Sequence, residues 1–165
     1  MVMKLPPRKD LFNGVAWIIV EFGFTPKDIL SSRKYARFAV QKIAYLLHYL
    51  KVDGFRDLTF NLYINGPYSP ELADIYFELA RKYPDKIHYF ARHFRLEPKI
   101  YTIVKWFMRK RYWWMEIATT ILMIHKRYPY INVDTLYRLV KSAKPWVDRE
   151  AFDKVYRSLE RVRLF

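Results

Sequence analysis

The sequence predicts a mainly α-helical protein: a single helical domain over residues 1–165, with about six to seven helices and a minor strand or hairpin. Three observations carry this. Apolar residues recur at helical spacing through most of the chain, an alternating TFNLYI segment interrupts them once, and 52% hydrophobic residues with only 4 Gly describe a well-packed body rather than a disordered one.

Taken in order, Asp10–Phe22 places Leu11, Val15, Ile18, Ile19 and Phe22 on one helical face, and Gly23 stops it. Thr25-Pro26-Lys27-Asp28 is an N-cap with proline in the first helical position, which restarts a short turn of helix. A long helix over about 32–50 sets Tyr35, Phe38, Ala39, Ile43, Leu46, Leu47 and Leu50 on one side, and Asp53-Gly54 ends it. Residues 58–64 alternate polar and apolar β-formers, predicting one strand or half of a hairpin, and Asn65-Gly66-Pro67 is a turn in which Gly66 supplies φ > 0. Ser69-Pro70-Glu71 caps a helix whose inner face is Leu72, Ile75, Tyr76, Leu79 and Tyr83.

The segment from Pro84 is mixed but mostly helical, with breaks at Glu97-Pro98 and near Arg109-Lys110-Arg111. Trp114, Ile117, Ala118, Ile121, Leu122 and His125 define the most apolar helix, expected at the centre of the core and ending at Tyr128-Pro129. Two helices, about 133–143 and 148–162, close the chain. No repeat, linker or low-complexity tract suggests a second domain.

A family resemblance rests on the middle of the chain. Lys42-Ile43-Ala44-Tyr45-Leu46-Leu47, followed at matching spacing by Tyr63-Ile64-Asn65-Gly66-Pro67-Tyr68-Ser69-Pro70-Glu71-Leu72, resembles the YwgA-like proteins, relatives of the Panacea (SocA-like) antitoxin domain. The segment Trp114–Thr120 and the final helix pair look similar more weakly. The resemblance implies a mostly helical, non-enzymatic domain that acts through a protein partner, in the Panacea case a toxin. It offers no catalytic residues. The expected protein-interaction surface lies at Asn65, Gly66, Pro67 and Tyr68.

Composition adds a second expectation. The chain carries +14 at neutral pH, and unevenly: 10 Lys and Arg stand against 8 Asp and Glu in residues 1–80, and 20 against 8 in residues 81–165. A +12 half attracts polyanions. The basic-aromatic run KWFMRKRYWW, with Lys105, Arg109, Lys110, Arg111 and Tyr112, is the expected nucleic-acid-binding stretch, since cations neutralise phosphates and rings stack on bases. The competing expectation for Trp106, Phe107, Trp113 and Trp114 is the core. In the closing helix pair, Lys154, Arg157 and Arg161 lie opposite Phe152, Val155, Tyr156, Leu159 and Val162, as a helix-turn-helix reader would place them.

Other chemistry lacks a motif. Cys is absent, which excludes disulfides and thiolate catalysis. His48, His88, His93 and His125 are scattered, so no metal or other cofactor is expected. Glu71, Asp74 and Glu78 read as a solvated acidic face with Glu78 paired to Arg81. With no GxSxG, GxxxxGK[ST] or GxGxxG sequence, the expected role is non-catalytic. No apolar run approaches the length of a membrane span, so a cytoplasmic location without membrane association is expected. One Gln and four Asn amid many charges suggest a thermophilic source.

Overall fold

A computed structural model describes residues 8–63 and 66–165. Nine α-helices and one antiparallel hairpin are seen among them. They run α1 (Lys9–Phe22), α2 (Pro26–Leu30), α3 (Tyr35–Tyr49), β1 (Asn61–Tyr63), β2 (Gly66–Tyr68), α4 (Pro70–Lys82), α5 (Ile87–Ala91), α6 (Pro98–Met108), α7 (Tyr112–Arg127), α8 (Val133–Ala143) and α9 (Arg149–Arg161). Nine rather than six or seven results because the mixed segment from Pro84 divides into a 3₁₀ turn, α5 and α6, and because α2 is a helix of its own.

Local chemistry explains most of the boundaries. Thr25 accepts from Asp28 N while the Asp28 carboxylate accepts from Thr25 N, a complete capping box at the start of α2. Ser69, Asn132 and Asp148 cap α4, α8 and α9 in the same sense, each accepting from the backbone N–H three residues on. Helix α1 stops where Gly23 takes φ of 75° and turns its N–H back to the carbonyls of Ile19 and Val20.

Helices α3 and α7 pack on each other, and α7 also carries α8, α9 and β2. The expectation that α7 is central holds: Ile117, Ala118, Ile121 and Leu122 are all fully buried. Against it, α3 contributes Ala39, Val40, Ile43, Ala44, Leu46 and Leu47. Helix α1 closes the far side against α5, α3 and α4, with Gly14 so near the Phe55 ring that a Cβ there would overlap it. Burial of these apolar surfaces, at about 25 cal/mol per Å², supplies the main folding force.

The strand differs from its expectation. Among the described residues of the expected strand, Asn61–Tyr63 is paired, and its partner is Gly66–Tyr68, within the segment expected to be a turn. The register sets Asn61 opposite Tyr68, Leu62 opposite Pro67 and Tyr63 opposite Gly66. Pro67 is tolerated because a two-stranded ribbon needs no ladder donor on its outer side. Ile64 and Asn65, the first of the four expected interaction residues, lie outside the described residues. Strand β1 is exposed throughout, whereas Gly66 and Pro67 are buried against α3 and α7.

Candidate functional site

The hairpin is seated by buried polar side chains. Gln41 on α3 forms a reciprocal amide pair with Ser69: its Nε2 donates to Ser69 O and its Oε1 accepts from Ser69 N, both at 2.9 Å. From the next residue of α3, Lys42 Nζ donates to Pro67 O at 2.9 Å and lies 4.7 Å from the Phe38 ring centre. From the other side Lys144, just past α8, donates to Tyr63 O at 3.1 Å and pairs with Glu116 Oε1 of α7 at 3.0 Å. Residues Lys42 and Lys144 are only 2% and 1% exposed. Glu116, part-buried, is therefore ion-paired with Lys144 and also acts on Lys42 through its charge.

Burial dominates the electrostatics here. Desolvation drags the Lys42 ammonium down from the usual lysine range to about 7; the Glu116 charge opposes this and the Lys144 charge adds to it. Burial also raises the phenols of Tyr45 and Tyr76, which stay protonated. Helices α3 and α7 add to the positive potential, since each starts without a side-chain cap or a first-turn acid, and Lys34 and Arg111 hold their N-cap positions.

Above Lys42 opens a cleft of about 420 Å³, lined by Lys34, Arg37, Phe38, Tyr63, Gly66, Tyr68, Tyr76 and Phe77 besides Gln41 and Lys42. Three cations and five aromatic rings line it, and no carboxylate does. Gly66 and Tyr68, two of the expected interaction residues, form part of its wall, and Pro67 is held beneath it by Lys42. A second cleft of about 410 Å³ shares Lys34 and Phe38 with the first and continues along Tyr35, Tyr112, Trp113 and Trp146.

Gly66 has φ of 93°, as the turn chemistry predicts. A Cβ there would stand 3.2 Å from Lys42 Nζ and 3.4 Å from Thr120 Oγ1. Gly66→Val therefore strains the backbone and presses on the lysine that holds β2; a loss of about 2 kcal/mol or more is expected. Thermal melting checks it, and an unchanged midpoint would show that the turn has no structural role.

The basic stretch is divided by the fold. Lys105 is withdrawn from any ligand by an ion pair with Glu21 at 2.7 Å, a partner 84 positions away. Lys110 is half-buried over two indoles, 4.6 Å from the Trp106 ring and 5.1 Å from Trp114. Arg109, Arg111 and Tyr112 remain exposed, as do Lys154, Arg157 and Arg161 on α9. Of the four ring residues with a competing core expectation, Phe107 and Trp114 are buried in edge-on contact at 5.2 Å, Trp106 is half-buried and Trp113 is exposed. The structure also re-pairs Glu78, which meets Lys82 at 4.0 Å while Arg81 lies over Phe77.

Sequence reasoning missed Gln41, Lys42, Glu116 and Lys144 as site residues. A signal existed for one of them. Lys42 is four residues after Phe38 and four before Leu46, inside the apolar stripe, where a cation must find a buried partner. Among the described residues no group of three or more His, Asp or Glu is placed to hold a metal ion, and no helix is long and apolar enough to cross a membrane. Comparison of the chain with protein-family models, with curated proteins and with solved structures finds no match.

Proposed function

We propose that this protein is a non-catalytic binding module that acts through a protein partner, an acidic segment of which enters the cleft beside the hairpin. The observation that carries this reading is the cleft's lining: Lys34, Arg37 and Lys42 with five aromatic rings and no carboxylate. An acidic side chain supplies the counter-charge that Lys42 lacks, because the carboxylate of Glu116 is ion-paired with Lys144. Rings such as Tyr63 and Tyr68 provide the large, stiff contact area typical of protein interfaces. The resemblance to YwgA-like and Panacea proteins, whose partners are proteins, agrees with this role.

The test is affinity capture from the native host with the wild-type chain and with Lys34→Glu combined with Arg37→Glu. Arg37 also donates to the carbonyls of Ile29 and Ser31, so the folding of the double variant is checked by circular dichroism, with Lys34→Glu as the milder control. A partner retained by wild type and released by both charge reversals is expected. Equal capture by all three proteins would place the partner elsewhere.

A further inference from the structure

The second cleft carries chemistry that the hairpin reading does not use. Four of its rings stay open to water: Tyr35 is 61% exposed, Trp146 50%, and Tyr112 and Trp113 36% each. They come from three separate segments, the starts of α3 and α7 and the connection between α8 and α9. Tyr35 and Tyr112 lie nearly parallel, with centres 5.3 Å apart and planes 10° apart, and Phe38 meets Tyr112 edge-on at 5.4 Å. A buried core explains none of this, because exposing four large rings in one place is unfavourable unless something covers them.

The charges at this place point to a polyanion. Lys34 lines the cleft, Arg111 immediately precedes Tyr112 in the chain, and Arg109 is two positions further back; both arginines are exposed. The sole carboxylate in the lining, Glu116, is already paired to Lys144. Tyr35 and Tyr112 already form a stacked pair, and such a pair is how bases are received: each base has a π-face that continues an aromatic stack.

We propose that the cleft lined by Tyr35, Tyr112, Trp113 and Trp146 binds single-stranded nucleic acid, with bases stacked on the exposed rings and phosphates held by Lys34, Arg109 and Arg111. A duplex is excluded from such stacking because its bases already stack on one another. The site is distinct from the protein-partner cleft, although the two share Lys34 and Phe38. The two occupants can therefore compete.

The test titrates the protein with an oligothymidylate of about 15 nucleotides, at the upper end of the roughly 4–16 nucleotides that a single-strand-binding fold covers. A duplex of the same length and poly-glutamate are titrated alongside it. Tryptophan fluorescence should be quenched by the single strand and not by the other two. Tyr112→Ala, Trp113→Ala and Trp146→Ala should each weaken single-strand binding about 5- to 150-fold, the value of one stacked base. Arg109→Ala with Arg111→Ala should make the salt dependence shallower by up to about 1.4, at about 0.7 per phosphate. Trp146 lies on a different segment from Tyr112, so a variant that fails to fold on one side leaves the other side to decide. Equal affinity for duplex and single strand without quenching, or unchanged binding in the folded ring variants, would reduce the cleft to part of a general positive field. Quenching by poly-glutamate at equal charge, which binding in the tryptophan-free hairpin cleft does not produce, would make it a peptide surface. Either outcome overturns the proposal.

Discussion

Replacing Glu116 by Gln is expected to destabilise the protein by about 3 to 5 kcal/mol at neutral pH, the cost of removing one partner from a buried ion pair. The substitution keeps the shape and a hydrogen-bond acceptor but deletes the one carboxylate that faces two buried amines. Lys144, at 3.0 Å from it, then keeps only neutral acceptors, the new amide oxygen and the Tyr63 carbonyl. Lys42 loses the attraction that holds its pKa up and shifts further toward the neutral amine. Urea denaturation of Glu116→Gln, Lys144→Met and the double variant checks this. The double variant should lose less than the sum of the singles, because once the Lys144 charge is gone its counter-ion is no longer required. A single-variant loss within about 0.5 kcal/mol of zero, the range of an ordinary surface change, would show that the pair is hydrated rather than buried.

Stability itself should climb with pH from about 7 toward 10. The native Lys42 amine titrates near 7 and the unfolded one near 10.5. Between these values the unfolded chain binds a proton that the native chain does not, so raising the pH favours the native state. Over the full interval the gain is on the order of 4 kcal/mol, at about 1.4 kcal/mol per pH unit. Above pH 10 the sign reverses: buried Tyr45 and Tyr76 keep protons that their unfolded counterparts release. His48 and His125 are shifted below their ordinary value of 6.5, so their contribution ends before that of Lys42 begins. Urea midpoints at about pH 7 and 9.5 should differ in wild type and converge in Lys42→Met. An undiminished rise in the variant would assign the proton to another group. An anion bound over Lys42 should raise its pKa, so proton uptake on partner binding near pH 7 is a corollary of the same geometry.

Glu116 and Lys42 also show where reading the chain stops. Helix periodicity, the caps at Thr25 and Ser69, the central place of α7 and the positive φ of Gly66 all depend on residues within a few positions of one another, and local sequence determines them. The division of the Pro84–Arg111 segment into α5 and α6 was less legible because its apolar spacing is mixed, and the strand boundaries depended on a partner. The sequence also marked Gly66, Tyr68, Arg111 and Tyr112 as candidates, although it assigned them to two unrelated surfaces. Only the packing of α3 against α7 brings those surfaces together across Lys34 and Phe38. Tertiary structure alone decided which cations are spent and which are free: Lys105 meets Glu21 and Lys144 meets Tyr63 across 84 and 81 residues, while Arg109 and Arg111 stay in water. A charge reads the same in sequence whether it is solvated or buried. Its pairing and its proton affinity depend on groups that the fold brings within a few ångströms, and no local pattern records that distance.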